Sequence, residues 1–142
     1  MSKQGTAFED LSIGDSAEMS FAVTESVIEK FAEVSGDDNP VHLDEAYAQT
    51  TPFGTRIAHG MLSAGYISAT IGTKLPGYGS IYLSQTMRFR RPVKIGDEVV
   101  VRAVITALDV ERGRVSIETT ALVGGKPVVE GEAVVIPPRR GA

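Results

Sequence analysis

An aspartate and a histidine lie close together in the segment SGDDNPVHLDEAY, residues 35–47. Pro40 separates Asp37 from His42, and His42 is one of only two histidines in the chain. A carboxylate and an imidazole that converge on one water molecule can move its protons near neutral pH, because the ordinary pKa of histidine lies in that range. A solvated loop would explain the same residues without any chemistry. The elements around them must decide between these two explanations.

The segment follows a predicted helix and is stiffened by its own proline. Thr24 is a typical N-cap residue, and Gly36 is a typical helix stop. Between them, apolar residues recur at helical spacing: Val27, Ile28, Phe31, Ala32 and Val34. Pro40 disfavours helical geometry at the residue before it, so residues 37–41 are predicted to form a loop, with a short helix over 44–49 after it. A turn of this kind brings two side chains that are five residues apart toward one point.

The longest predicted helix covers residues 59–73, HGMLSAGYISATIGT, and is apolar nearly all round. Such a helix is expected to be buried on all sides. It is rich in small residues, which let other groups approach its backbone closely. Gly60 stands near its start, where backbone N–H groups lack partners within the helix and the helix dipole favours negative charge. This end of the helix is therefore a candidate donor to a developing oxyanion.

Alternating residues and glycine turns predict antiparallel strands in the rest of the chain. The predicted strand segments are 8–23 (with a turn at Gly14-Asp15), 81–90, 99–106, 115–123 and 128–136. One face of the second segment is expected to touch the long helix and is formed by Ile81, Leu83, Met87 and Phe89. Helices that precede a run of antiparallel strands indicate an α+β fold. We predict a hot-dog arrangement, a curved antiparallel sheet wrapped around the helix at 59–73.

Composition limits the class of protein. The 142 residues suit one domain, and the ends (1–6 and 137–142) are predicted to be flexible tails. A net charge of −4 argues against nucleic-acid binding, which depends on basic surfaces. No apolar run approaches the roughly 18–20 residues of a membrane span, and the polar opening MSKQGTAFEDL does not read as a secretory signal. We therefore expect a cytoplasmic protein with no membrane partner.

Three stretches together resemble a known family. SGDDNPVHLDEAYA, IAHGMLSAGYIS and GSIYLSQTMRFRRPVKIGDEV are similar to the R-specific enoyl-CoA hydratases of the MaoC-like dehydratase group, and the likeness spans roughly residues 20 to 110. The resemblance implies a hot-dog homodimer that adds water to trans-2-enoyl-CoA to give the (R)-3-hydroxyacyl thioester. It implies no metal and no cofactor, since coenzyme A is part of the substrate.

By motif position, the resemblance implies that Asp37 and His42 are the catalytic pair. Gly60 matches the backbone donor to the thioester carbonyl, and Ser68 matches a further active-site position of the long helix. Gln85 is selected on other grounds, as the one polar residue on a predicted apolar strand face. A buried polar side chain needs partners, so Gln85 is expected to line the pocket or to bond the helix.

Several alternatives stay open at this stage. His59 is either a second base or a residue that shapes the start of the helix. The basic run from Arg88 to Arg91 is either a phosphate site for coenzyme A or a charged strand face that prevents edge aggregation. A hot-dog thioesterase also uses a carboxylate and a helix N-terminus. A non-catalytic thioester-binding subunit has no need for both Asp37 and His42.

Overall fold

A computed structural model describes residues 4–141 of the chain. Within them, helices α1 to α4 span Glu25–Ser35, Pro40–Leu43, Glu45–Ala48 and Gly60–Thr73, after a 3₁₀ turn at Phe8–Asp10. The predicted ends of α1 are confirmed. Thr24 Oγ1 accepts a hydrogen bond from Val27 N at 3.1 Å, and Gly36 adopts a left-handed φ of 80°. The predicted loop at 37–41 ends earlier than expected, because Pro40 has a suitable φ for a first helical residue and opens α2.

One antiparallel sheet contains six strands within the described residues. They are β1 (Ser16–Ala22), β2 (Ile81–Gln85), β3 (Arg88–Phe89), β4 (Glu98–Asp109), β5 (Arg114–Val123) and β6 (Lys126–Ile136). Their order is β1-β4-β5-β6-β2, and β3 also pairs with β6. The turn between β5 and β6 needs two residues with positive φ, which Gly124 and Gly125 supply at 58° and 78°.

Helix α4 packs on the inner face of this sheet, against β1, β4 and β5. Its residues Ile67 and Ile71 are at most 1% exposed. They meet the inward side chains of the two long central strands: Val99, Val101, Ala103, Ile105, Val115, Ile117 and Ala121. The predicted hot-dog arrangement is confirmed. The expectation that α4 is buried on all sides is wrong for the single chain, because the sheet covers one side and leaves Gly65 and Ser68 exposed.

The predicted strand at 81–90 is interrupted, and its inner face is only partly the one expected: Met87 packs against the core and the ring of Phe89 lies over Gly60 of α4. A β-bulge between Tyr82 and Ser84 shifts the register against β6. Side chains alternate between the two faces of a strand. The extra residue in the bulge therefore puts the alternation before it out of step with the alternation after it. Gln85 lies opposite the buried Ala133, whereas Ile81 is 57% exposed. The prediction that Ile81 and Leu83 face the helix is therefore wrong.

The two ends of the described chain are held against each other and against the turn after α4. Gly5 N and Thr6 N donate to the carbonyl oxygens of Tyr78 and Pro76 at 2.8 and 2.7 Å. Arg140 N donates to Glu9 Oε1 at 2.8 Å. These bonds involve three residues of the predicted flexible tails, whose flexibility stays a prediction, and residues 1–3 and 142 lie outside the described part. Among residues 4–141, no helix combines the length and the apolar character that crossing a membrane requires.

Candidate active site

Asp37 is placed by the end of α1. The left-handed Gly36 turns the chain out of the helix, and Asp37 N then donates to Ser35 Oγ at 3.1 Å. Asp37 Oδ1 accepts from Asn39 N at 3.2 Å, which closes a tight turn. The side chain of Asp37 is exposed at this turn. Its carboxylate therefore keeps acceptor capacity for a molecule that approaches from outside.

His42 is placed by the short helix α2. Asn39 caps that helix through a bond from Val41 N to Asn39 Oδ1 at 3.1 Å. The imidazole is 8% exposed, and its Nδ1 lies 2.7 Å from the carbonyl oxygen of Ile57. A carbonyl only accepts, so Nδ1 carries the proton and Nε2 has a free lone pair. Burial lowers the pKa of His42, while the Ile57 carbonyl and Asp37 oppose that shift.

The structure brings the two predicted catalytic side chains together, and it adds a third. A carboxylate oxygen of Asp37 and ring nitrogens of His42 and His59 lie within 4.8 Å of one another. The rings of His42 and His59 are stacked, with centroids 3.8 Å apart and an interplanar angle of 26°. One water molecule placed at this point would be within reach of the Asp37–His42 pair.

The same three residues are the one group in the described chain that could hold a metal ion. The donor geometry does not favour one. His42 Nδ1 and His59 Nε2 already bond to carbonyl oxygens, so each ring has one nitrogen left. Lone pairs lie in the ring planes, and planes stacked at 26° do not direct them toward a common ion. Proton transfer is the chemistry that this arrangement suits.

Gly60 begins α4 at the wall of a cavity of about 350 Å³. The cavity has an apolar lining with five residues that carry polar groups: His59, Gly60, Ser63, Arg90 and Arg91. The ring of Phe89 lies over Gly60, and a Cβ added there would be 2.8 Å from Phe89 Cε1. Glycine therefore lets this ring pack against the start of α4, and Gly60 itself is exposed. Of the three clustered residues Asp37, His42 and His59, His59 alone lines this cavity. The buried Ser63, one turn later, was not selected by the sequence analysis, because nothing in its spacing separates it from the other small residues of α4.

The MaoC-like domain model matches residues 12–126 of this chain. The chain belongs to the MaoC-like domain family. Its sequence is 53% identical to an (R)-specific enoyl-CoA hydratase of Rhodospirillum rubrum over 134 residues, which cover 94% of this chain and 93% of that protein. It is 48% identical to a 3-hydroxybutyryl-CoA dehydratase of Methylorubrum extorquens, over 94% of this chain and 85% of that one.

Solved structures agree with this membership. The unliganded R-hydratase PhaJ1 of Pseudomonas aeruginosa superposes with a TM-score of 0.92 at 48% identity, over 96% of this chain and 88% of that chain. An (R)-hydratase of A. caviae involved in PHA biosynthesis gives 0.89 at 42% identity, over 92% and 99% of the two chains. The family resemblance predicted from the three sequence stretches is confirmed.

Two further residues predicted for the site lie apart from the pair in this MaoC-like chain. Ser68 is exposed two turns along α4, and neither Ser68 nor Gln85 lines the cavity at Gly60. Gln85 donates from Nε2 to Thr119 Oγ1 at 2.8 Å and accepts from Tyr82 Oη at 2.5 Å. Burial raises the pKa of Tyr82 to about 12, so this phenol remains a donor. Gln85 thus has its partners within the sheet, and the role of both residues stays a prediction.

The basic run also has partners of its own. Arg90, the residue after β3, pairs through Nε with Glu130 Oε2 of β6 at 3.1 Å. Arg91 Nη1 donates to the carbonyl oxygen of Pro127 at 2.6 Å. Both arginines are exposed and keep other N–H groups at the cavity. A charged strand face is thus present, and the phosphate explanation stays a prediction.

Arg56 is a second residue near the site that the sequence did not indicate. It is 9% exposed, and its Nε donates to the carbonyl oxygen of His42 at 2.8 Å. Its Nη1 pairs with Glu25 Oε1 at 2.9 Å, and its backbone N donates to Glu45 Oε1 at 2.9 Å. Arg56 precedes Ile57, whose carbonyl orients the ring of His42. Arg56 therefore holds His42 in two ways: directly, by the bond to the His42 carbonyl, and indirectly, by positioning the neighbouring Ile57.

We expect Arg56→Met to lower kcat by about 10-fold or more, since small displacements of a positioned group are costly. The free energy of unfolding should fall by about 1–3 kcal/mol, because the His42 carbonyl loses a buried donor. Arg56→Lys is the matched control, since it keeps the charge but not the forked geometry, and it should lie between Arg56→Met and the wild type. Steady-state kinetics and urea unfolding measure both effects. Wild-type turnover in Arg56→Met would refute this positioning role.

Proposed function

We propose that this MaoC-like protein adds water reversibly across the trans-2 double bond of an enoyl-CoA thioester to give the (R)-3-hydroxyacyl-CoA. One observation carries the proposal. A carboxylate oxygen of Asp37 and ring nitrogens of His42 and His59 lie within 4.8 Å of one another, and His59 is directly followed by Gly60, the first residue of α4. The bond from His42 Nδ1 to the Ile57 carbonyl leaves Nε2 of His42 as its basic nitrogen. The names of the relatives at 53% and 48% identity support the same reaction.

The pair handles a single proton in this scheme. Asp37 accepts one hydrogen bond from the water and orients it, while His42 Nε2 takes the other proton as the oxygen bonds to C3. The π electrons of the double bond move toward the thioester oxygen and form an enolate. The proton on His42 then passes to C2, which restores the thioester and regenerates the neutral imidazole. Neither residue is consumed, so the same steps run backward for dehydration.

The charge on the thioester oxygen is stabilised by the first turn of α4. The amide of Gly60 is the first of the helix, and the helix dipole adds a favourable potential there. A well-aimed donor of this kind contributes about 3–4 kcal/mol to lowering a barrier. The apolar lining of the cavity strengthens that effect, because it keeps water from screening the charge.

A hydration assay tests the proposal. Crotonyl-CoA and longer trans-2-enoyl-CoAs are expected to lose the ultraviolet absorbance of the conjugated thioester, and chiral analysis should find the (R)-alcohol. Free thiol is measured in parallel, because its release would identify a thioesterase instead. Binding of enoyl-CoA with neither reaction would indicate a non-catalytic subunit. Either of these two results would refute the hydratase proposal.

The pH dependence follows from the state of His42. The base form is needed for water activation, and burial lowers its pKa below the usual value of 6.5. Above that pKa the ring is neutral, so we expect kcat/KM to be level through neutral pH. As the pH falls through the lowered pKa, the ring becomes protonated and kcat/KM should drop about tenfold per unit. A pH–rate profile with its acid midpoint above 6.5 would contradict this assignment.

We also infer that two copies associate through the edge strand β2. An unpaired edge invites pairing, and this one presents exposed apolar side chains, including Ile81 and Leu83 at 57% and 43% exposure. The opposite edge, β1, instead carries an ion pair between Glu18 and Arg102 of β4. A two-fold axis would use the same patch on both copies. In such a dimer the acyl pocket would draw on residues of both chains.

Light scattering should therefore give about twice the chain mass of 15.1 kDa. Leu83→Arg places a charge in the β2 edge, where the like charges of two copies would face each other. It is expected to yield monomers whose activity is lower by at least about 10-fold. Val110→Arg is the matched control, because Val110 is 73% exposed in the turn between β4 and β5. It should remain dimeric and active. A fully active wild-type monomer would overturn the proposed dimer.

A further inference from the structure

His59 is a buried residue that contacts both predicted catalytic residues, Asp37 and His42, and the apolar side chain of Phe31. It is 2% exposed and occupies the N-cap position of α4, yet its side chain makes no capping hydrogen bond. One side of its ring is stacked on His42, with centroids 3.8 Å apart. Phe31 of α1 also contacts the ring, at 4.8 Å between centroids and an angle of 53°. Helix capping therefore does not explain this residue.

The hydrogen bonds of His59 also argue against its being a second base. Its Nε2 lies 2.9 Å from the carbonyl oxygen of Asp37, and a carbonyl only accepts, so Nε2 carries the proton. The basic nitrogen is therefore Nδ1. That atom is buried and has no hydrogen-bond partner among the described residues. A nitrogen shielded from solvent in this way is poorly placed to act on a water molecule that approaches the exposed carboxylate of Asp37.

We propose that His59 is a positioning residue that holds both members of the pair. Its Nε2–H group donates to the Asp37 carbonyl and so fixes the backbone of Asp37. Its ring, itself in contact with Phe31, stacks on the His42 imidazole and so fixes the plane of that imidazole. This inference deepens the proposed hydratase function and rests on it. The hydrogen bond from His42 Nδ1 to the Ile57 carbonyl holds one atom of the His42 ring but still allows the ring to rotate about that bond. Stacking on His59 restrains this remaining rotation.

Ring nitrogen NMR tests the contacts without any substrate. The chain contains only two histidines, so ¹⁵N spectra show two imidazoles, and His59→Gln assigns them. We expect the Nε2-protonated tautomer for His59 and the Nδ1-protonated tautomer for His42. A His59 ring protonated on Nδ1 would overturn the proposal. These spectra decide the contacts even if the wild-type protein fails the hydration assay, a failure that would reject the proposed function separately.

Kinetics test the consequence. His59→Ala removes both restraints and is expected to lower kcat by about 10- to 100-fold, with KM changed less than about threefold. His59→Gln keeps an N–H for the Asp37 carbonyl, and His59→Phe keeps the ring against His42. Each of these two variants should recover part of the lost kcat. If His59→Ala does not fold, His59→Gln and His59→Phe still test the proposal, because each is expected to have a kcat below that of the wild type. A wild-type kcat in both variants would overturn the proposal.

A core variant separates positioning from general destabilisation. Ile28 of α1 is fully buried and contributes nothing to the pair, so Ile28→Val lowers stability without moving a site residue. At equal fraction folded, Ile28→Val should retain the wild-type kcat while the His59 variants do not. Two results would show that His59 has a structural role only. One is an equal decrease of kcat in Ile28→Val and in the His59 variants, and the other is a rise in KM with kcat unchanged.

Discussion

Replacing Asp37 with asparagine or His42 with alanine is expected to lower kcat/KM by at least about 100-fold, the lower end of what general acid–base groups contribute. Asp37→Asn keeps the size of the side chain but removes the charge that orients the water. His42→Ala removes the proton acceptor. Asp37 is exposed, and His42 is buried in the short helix α2 but lies outside the hydrophobic core cluster, so circular dichroism should show intact folds. Hydration of crotonyl-CoA is the measurement.

Asp38→Asn is the matched control for this pair. Asp38 is exposed and adjacent to Asp37, and its backbone N alone makes a bond, to the Gly36 carbonyl at 3.2 Å. It should keep the wild-type rate. The double variant of Asp37 and His42 should be little slower than the slower single variant, because residues that act on one water are not additive. Near-normal turnover in either single variant would remove the catalytic assignment.

Gly60→Pro is expected to lower kcat by about 100- to 1,000-fold relative to Gly60→Ala, the effect of losing one oxyanion donor. Proline removes the first amide N–H of α4, but it suits the first position of a helix. The residue before it, His59, already has the extended geometry that proline requires, with φ −60° and ψ 136°. The helix should therefore form in both variants, and only one of them lacks the donor.

The ring of Phe89 has to be taken into account in this comparison. A Cβ at position 60 would be 2.8 Å from Phe89 Cε1, so both variants displace the ring. Phe89 is 54% exposed and can move outward. Making both changes in a Phe89→Leu background removes the steric term, and the difference between alanine and proline then isolates the amide. Equal kcat values for the two would show that the thioester oxygen is not bound there.

The sequence by itself determined the features that depend on neighbours along the chain. Thr24 and Gly36 set the ends of α1, and Gly124-Gly125 sets the turn between β5 and β6, because caps and turns use backbone groups only a few residues away. The proximity of Asp37 and His42 was predictable for the same reason. Asn39 and Pro40 shape a local turn that needs no distant partner.

Only the tertiary structure decided the features that join distant segments. The bond of Arg56 to Glu25 and the bond of His59 to Asp37 cross 31 and 22 residues, and no periodicity in the sequence marks such pairs. The inner face of β2 was mispredicted because one bulge at Tyr82–Ser84 reverses the alternation, and its cause lies in the pairing with β6. The proximity of the two candidate catalytic residues was thus predictable from one short segment of the sequence, and their catalytic role stays a prediction. The groups that hold them depend on which segments the fold brings together.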